Sequence, residues 1–137
     1  MKKIGVAVIG AGFWGRNHAR VFNELEETEL LAVCDINAER AKSIAKQFGA
    51  EAYVETGRML KRKDVEAVSV CTWSTSLAKE ALKALKAGKH VLVEKPMAAN
   101  SRQAEELLKT AEKEGLHLSV GFLMRFIPGV HYIRNSI

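Results

Sequence analysis

The run Ile4-Gly5-Val6-Ala7-Val8-Ile9 leads without interruption into Gly10-Ala11-Gly12-Phe13-Trp14-Gly15. A short apolar stretch with no polar alternation fits a strand covered on both faces, as in a parallel sheet. The glycines keep the spacing G-x-G-x-x-G. A helical stripe of Trp14, His18, Val21, Phe22 and Leu25, at steps of three and four, follows directly. In this setting each glycine has a separate task. Gly10 permits a tight turn, Gly12 lets the backbone come close to a diphosphate, and Gly15 lets the helix lie against the strand. The unpaired amides at a helix start, with the positive end of its dipole, attract an anion. The expectation is a dinucleotide held by Gly10, Ala11, Gly12, Phe13, Trp14 and Gly15.

Outward from that stretch, strand and helix patterns alternate along the whole chain. Apolar runs at Leu30–Cys34, Val65–Cys71, His90–Val93 and His117–Phe122 read as strands, with a short one at Ala52–Val54. Between them, Ala41, Ile44, Ala45 and Phe48 share one helical face. So do Leu77, Ala78, Ala81, Leu82 and Leu85, and so do Ala104, Leu107, Leu108 and Ala111. Thr56–Arg62 reads as a short helix. Asn37, and Asn100 or Ser101, are placed to cap helices, and Gly49, Gly88 and Gly115 to stop them. Pro96 and Pro128 fall outside both patterns. Buried strands alternating with amphipathic helices predict an α/β fold with right-handed crossovers. The specific expectation is a doubly wound parallel Rossmann sheet of six strands in the order 3-2-1-4-5-6, with helices on both faces. Ligands then lie at the carboxyl ends of the strands.

Length and composition agree with one domain. The chain has 137 residues, 47% of them hydrophobic and 27% charged, ordinary values for a globular domain. No apolar run approaches the roughly 20 residues that a membrane span needs. Met1-Lys2-Lys3 before an apolar stretch superficially suggests a signal peptide, but the stretch has no small-residue cleavage site and reads better as the first strand. A cytoplasmic location is the expectation. The net charge is +5. The Lys and Arg are interspersed with Glu on helix faces, without a basic run, so no nucleic-acid partner is expected. Cys34 and Cys71 have no Cys or His at ligand spacing and read as buried apolar residues, so no metal is expected.

Two further places carry chemistry. Asp35 closes the second strand about 20 positions after Gly15, where an acidic residue reaches the adenosine ribose. A carboxylate there repels a 2′-phosphate and favours NAD over NADP. Arg40, one turn into the next helix, keeps NADP open, because a guanidinium can meet that phosphate. The fifth strand ends in Glu94-Lys95-Pro96. Proline restricts Lys95 to an extended or turn conformation. Lys95 can then donate to a substrate hydroxyl or to the nicotinamide side of a cofactor. Glu94 can pair with Lys95 or receive a ribose, and a plain strand-end ion pair remains the alternative.

The chain resembles the N-terminal domain of the glucose-fructose oxidoreductase/inositol dehydrogenase (Gfo/Idh/MocA) family. The resemblance rests on Gly10–Ala19, on Val70-Cys71-Thr72, on the block Ala81–Pro96, and on Val120-Gly121-Phe122 followed by Arg125-Phe126 and Pro128. It implies an NAD(P) cofactor and hydride transfer at a hydroxyl-bearing carbon of a sugar, cyclitol or related small molecule. It further implies that Lys95 is the catalytic lysine and that Glu94 and Thr72 lie near the nicotinamide ribose.

Two departures stand out. Where the family follows the Thr72 position with Pro-Asn or Pro-Thr and has a His five residues on, this chain has Trp73-Ser74 and Leu77. Trp73 can stack on the nicotinamide, line the substrate pocket or simply pack. Where the family often shows Met-Arg-Arg-Phe, this chain has Leu123-Met124-Arg125-Phe126. Residues 1–122 are therefore expected to form the NAD(P)-binding domain. Residues 123–137 are expected to lead towards a further domain of about 200 residues, an ordinary domain size, that covers the nicotinamide. Without that cover, self-association through the sixth-strand edge is expected. His18 on the first helix is assigned to packing rather than chemistry. The alternative is a non-catalytic dinucleotide-binding or sensing module. A methyltransferase-type fold is disfavoured by the glycine spacing and by Glu94-Lys95-Pro96.

Overall fold

Val6, Ala7, Val8 and Ile9 are all buried, which makes β1 (Ile4–Ile9) the centre of the molecule. Its successive side chains serve opposite layers, as a strand's alternation demands. Ala7 and Ile9 join one core with Val68, Leu77, Leu85, Val91, Val93 and Leu107. Val8 joins a second core with Ala19, Leu30, Val33, Ile44 and Ala45. The structure, a computed structural model, describes residues 2–137. Its sheet adds β2 (Thr28–Cys34), β3 (Glu51–Tyr53), β4 (Ala67–Val70), β5 (His90–Val93) and β6 (Leu118–Val120) to β1. All pair in parallel, in the order 3-2-1-4-5-6. The connecting helices are α1 (Phe13–Glu24), α2 (Ala38–Phe48), α3 (Thr56–Met59), α4 (Ser74–Lys86) and α5 (Ser101–Glu114). The expected fold class is the observed one. Fully burying each of Leu77, Leu85 and Leu107 contributes about 2 kcal/mol by transfer from water.

Local signals hold at the helix ends. Asn37 Oδ1 accepts from the Arg40 amide at 3.0 Å, and Asn100 Oδ1 accepts from the Gln103 amide at 3.0 Å. Gly49 and Gly115 close their helices with φ of +71° and +63°, the left-handed conformation that glycine adopts without penalty.

Three expectations are corrected. On α1 the buried residues are Gly15 and Ala19, with His18 and Phe22 partly covered, while Trp14, Val21 and Leu25 are exposed. The predicted stripe was rotated because it weighed size. The helix approaches the sheet too closely for bulk and turns its small residues inward. On α5, Leu107 and Ala111 face the core while Leu108 is half exposed. Pro128 is not outside a helix. After a 3-10 turn at Leu123–Phe126, it opens α6 (Pro128–Ser136) at a position where a missing N–H costs nothing.

Lys89 is buried beneath the sheet. Its Nζ donates to the carbonyls of Arg62 at 2.7 Å and Val65 at 2.8 Å. A side chain thus satisfies peptide groups in the loop before β4, which no ladder reaches. The strand begins at Ala67, two residues later than the apolar run predicts, although Val65 is fully buried. Among the described residues no helix is long and apolar enough to cross a membrane.

Candidate functional site

The register brings the strand ends into one line. Ile9 is level with Cys34 and Val70, Val70 with Val93, and Val93 with Val120. The next residue of each strand therefore joins a row of Asp35, Gly10, Cys71, Glu94 and Gly121. Backbone hydrogen bonds of 2.7–2.9 Å fasten it: Gly10 N–H to Cys34 O, Cys71 N–H to Ile9 O, Glu94 N–H to Val70 O and Gly121 N–H to Val93 O. This is the carboxyl edge of the sheet, and β1 and β4 flank the point where strand order reverses.

The three glycines differ in what surrounds them. Gly10 has φ +94°, and a Cβ on it would stand 2.6 Å from the Cys71 carbonyl oxygen. A Cβ on Gly15 would stand 1.6 Å from the Gly10 carbonyl oxygen, so α1 rests directly on the turn. A Cβ on Gly12 would meet nothing within 4 Å. Gly12 thus borders open space at the start of α1, where no side chain caps the helix. The first turn presents backbone amides to that space, the arrangement that suits a diphosphate. Phe13 and Trp14 pack edge to face, ring centroids 5.4 Å apart, on the outer side of the turn.

Asp35 is buried, and its carboxylate turns towards the glycine turn. Oδ2 accepts from the Ala11 amide at 2.7 Å and Oδ1 from the Asn37 amide at 2.8 Å. The Arg40 guanidinium stands 3.7 Å from Oδ2. A carboxylate offers about four lone-pair sites, so acceptor capacity remains beside these bonds. Asp35 is thus bonded to the glycine turn, and Arg40 stands beside Asp35.

At the end of β5, Glu94 does not pair with the Lys95 ammonium. Its Oε1 is 3.1 Å from His18 Nε2, and its Oε2 accepts from the Lys95 backbone amide at 3.1 Å. His18 Nδ1 in turn lies 2.8 Å from Ser69 Oγ, itself 3.5 Å from Cys71 Sγ. Lys95 and Pro96, joined by a cis peptide bond, are exposed on the same edge. Thr72 Oγ1 accepts from Ser76 Oγ at 3.0 Å. Trp73 is 80% exposed, so it is not a packed aromatic. The assignment of His18 to simple packing is corrected: it is a hydrogen-bonded bridge. Sequence reasoning gives Ser69 no role and takes Gly121 only as part of the family resemblance, because neither has a local signal that points to Glu94.

Cys34 and Cys71 are free. Burial pushes the Cys34 thiol up to about 11 and the Cys71 thiol up to about 12, from an ordinary 9.0. Above pH 9 the unfolded chain loses these protons while the folded chain keeps them, so stability falls as pH rises through this window. The loss is expected to be on the order of a few kcal/mol by about pH 11. Urea midpoints measured across it should drop more steeply for the native chain than for the variant Cys34→Ala/Cys71→Ala, and parallel slopes would refute the linkage.

Comparison with known proteins fits this geometry. The model of an oxidoreductase family with an NAD-binding Rossmann fold (GFO_IDH_MocA) matches residues 4–122. The 4-carboxy-2-hydroxymuconate-6-semialdehyde dehydrogenase of a Sphingobium species is 35% identical over 133 residues, which are 96% of this chain and 42% of that protein. The inositol 2-dehydrogenase/D-chiro-inositol 3-dehydrogenase of Halalkalibacterium halodurans is 34% identical over 134 residues, 95% of this chain and 38% of that protein. The crystal structure of a 3-ketoreductase from Actinomadura kijaniata in complex with NADP superposes with a TM-score of 0.93 at 32% identity, covering 98% of this chain and 44% of that one. GenD2 from gentamicin A biosynthesis, in complex with NAD, superposes with a TM-score of 0.86 at 31% identity, covering 88% and 35%. The chain spans less than half the length of each of these relatives. With a doubly wound sheet, a glycine turn open at Gly12 and a family match that spans all six strands, the chain belongs to the Gfo/Idh/MocA oxidoreductases, as their NAD-binding Rossmann domain.

Proposed function

We propose that this chain is the cofactor-holding part of a dehydrogenase acting on a hydroxyl-bearing carbon of a sugar, cyclitol or related small molecule. The observation that carries the reading is the open space at Gly12, bordered by uncapped helix amides and by the Asp35 carboxylate bound to the same turn. The backbone of Gly10, Ala11, Gly12, Phe13, Trp14 and Gly15 holds the diphosphate. Asp35 receives the adenosine ribose and selects NAD, and Arg40 beside it lets NADP bind more weakly. Thr72, Trp73 and Glu94 border the nicotinamide ribose. Lys95 is the catalytic residue, presenting its ammonium to the substrate oxygen. The bound nicotinamide supplies or accepts the hydride. The relatives' names support the substrate class: one is an inositol 2-dehydrogenase/D-chiro-inositol 3-dehydrogenase, and another, from Bacillus subtilis, is a glucose-6-phosphate 3-dehydrogenase.

Residues 1–122 form the cofactor domain in this reading, and residues 123–137 lead to what covers it, a further domain or another copy of the chain. The work is placed in the cytoplasm, where nicotinamide cofactors and phosphorylated sugars meet. Lys95 and Trp73 stand exposed on the nicotinamide side. Hydride transfer needs both reactants held together with water excluded, so these 137 residues alone bind cofactor with little turnover. Titration calorimetry with NAD and NADP tests the assignment. NAD is expected to bind about tenfold more tightly than NADP, a difference of roughly 1.4 kcal/mol. Asp35→Ala should erase that preference. Binding of neither dinucleotide at millimolar concentration overturns the reading.

A further inference from the structure

His18 lies on α1, three residues past Gly15, yet its imidazole does not serve the glycine turn. It reaches across the sheet edge to two other strands. Nδ1 meets Ser69 of β4 at 2.8 Å, and Nε2 meets the Glu94 carboxylate beyond β5 at 3.1 Å. An ionised carboxylate only accepts, so Nε2 carries the proton towards Glu94. In the neutral ring Nδ1 then accepts from the Ser69 hydroxyl.

Glu94 is gripped on its other sides too. Oε2 takes the Lys95 backbone amide at 3.1 Å. Gly121, past β6, closes the last side: a Cβ there would stand 3.0 Å from Oε1. The carboxyl group of Glu94 is therefore held by His18 of α1 and by the Lys95 amide, with Ser69 of β4 behind the imidazole and Gly121 close beside Oε1. Lys95 is the next residue, and its backbone amide is tied to that same carboxylate.

We infer that His18 is a positioning residue, which fixes the Glu94 carboxylate and through it the Lys95 backbone at the nicotinamide end of the site. The inference rests on the cofactor reading above. Ser69 is the anchor of the ring: its hydroxyl holds the imidazole in the plane that reaches Glu94. Losing His18 frees the carboxylate to swing, and leaves the adenosine end, built from Gly12, Ala11 and Asp35, untouched.

The test compares NAD with ADP, which carries the diphosphate and the adenosine end alone, by titration calorimetry on the 137-residue chain. His18→Phe keeps a planar ring without the two nitrogens. It is expected to weaken NAD binding about tenfold and to leave ADP binding within about twofold, so the advantage of NAD over ADP shrinks. Ser69→Ala, which keeps the imidazole, should weaken NAD binding about threefold with ADP again unmoved. It serves if His18→Phe fails to fold. Equal losses for NAD and ADP would show that His18 merely supports the fold near the glycine turn, and would overturn the inference. So would an unchanged NAD affinity in both variants. A native chain that binds neither nucleotide sinks the cofactor reading and this inference with it. A native chain that prefers NAD to ADP, with variants that keep the preference, sinks the inference alone.

Discussion

Gly12→Val should abolish dinucleotide binding while the chain stays folded. A Cβ at Gly12 would meet nothing within 4 Å, so the branch begins in open space. The backbone there, φ −76° and ψ −162°, is extended and open to any residue. The cost to stability is that of a poorer helix cap, at most about 1 kcal/mol. The cost to binding is of another order. The branched side chain fills the volume over the first-turn amides, where the diphosphate must come within hydrogen-bond distance. Losing those charge-assisted contacts should raise the dissociation constant for NAD at least about 100-fold, roughly 2.7 kcal/mol. Calorimetric titration beside urea unfolding checks both halves. A variant that still binds NAD normally would mean that the open space at Gly12 is not where the diphosphate sits.

Gly15→Ala should do the reverse and strike the fold first. One added Cβ would stand 1.6 Å from the Gly10 carbonyl oxygen, and the obstacle is backbone, not a side chain able to swing away. To accept it α1 must lift from β1, and Ala19, fully buried one turn on, would lift with it. Overpacking against rigid structure costs about 3 kcal/mol or more, a large share of the 5–15 kcal/mol typical of a domain's stability. The urea midpoint should fall accordingly. An unfolding free energy within about 0.5 kcal/mol of the native chain's would show that the helix does not lie as close to the turn as the structure has it. The two glycines stand three positions apart in one motif. One is needed for the ligand and the other for the helix.

Much of this was legible in the chain itself. The unbroken apolar runs and the helical stripes pointed to six strands and their helices, and the glycine turn after the first strand pointed to the dinucleotide-fold order that the sheet has. The glycine spacing gave the turn, and the position of Asp35 gave its neighbour. What failed was finer. The apolar pattern places Trp14, Val21 and Leu25 on the inner stripe of α1, because large apolar residues ordinarily seek the core. Here close approach at Gly15 excludes them, and size works against burial. Leu108 misled for a related reason: α5 has room for only one leucine of its adjacent pair against the core, and Leu107 takes it.

Residue types and their spacing along the chain determined which segments are strands, which are helices, and where a glycine turn joins the first of each. Those properties are local, decided by periodicity and by the presence or absence of a Cβ. Only the folded sheet decided that Glu94 belongs to His18 and not to Lys95, and that Ser69 and Gly121 complete its surroundings. His18 and Glu94 stand 76 positions apart in the chain, and Gly121 lies further on still. Strand register, which no single segment encodes, brings them to one edge.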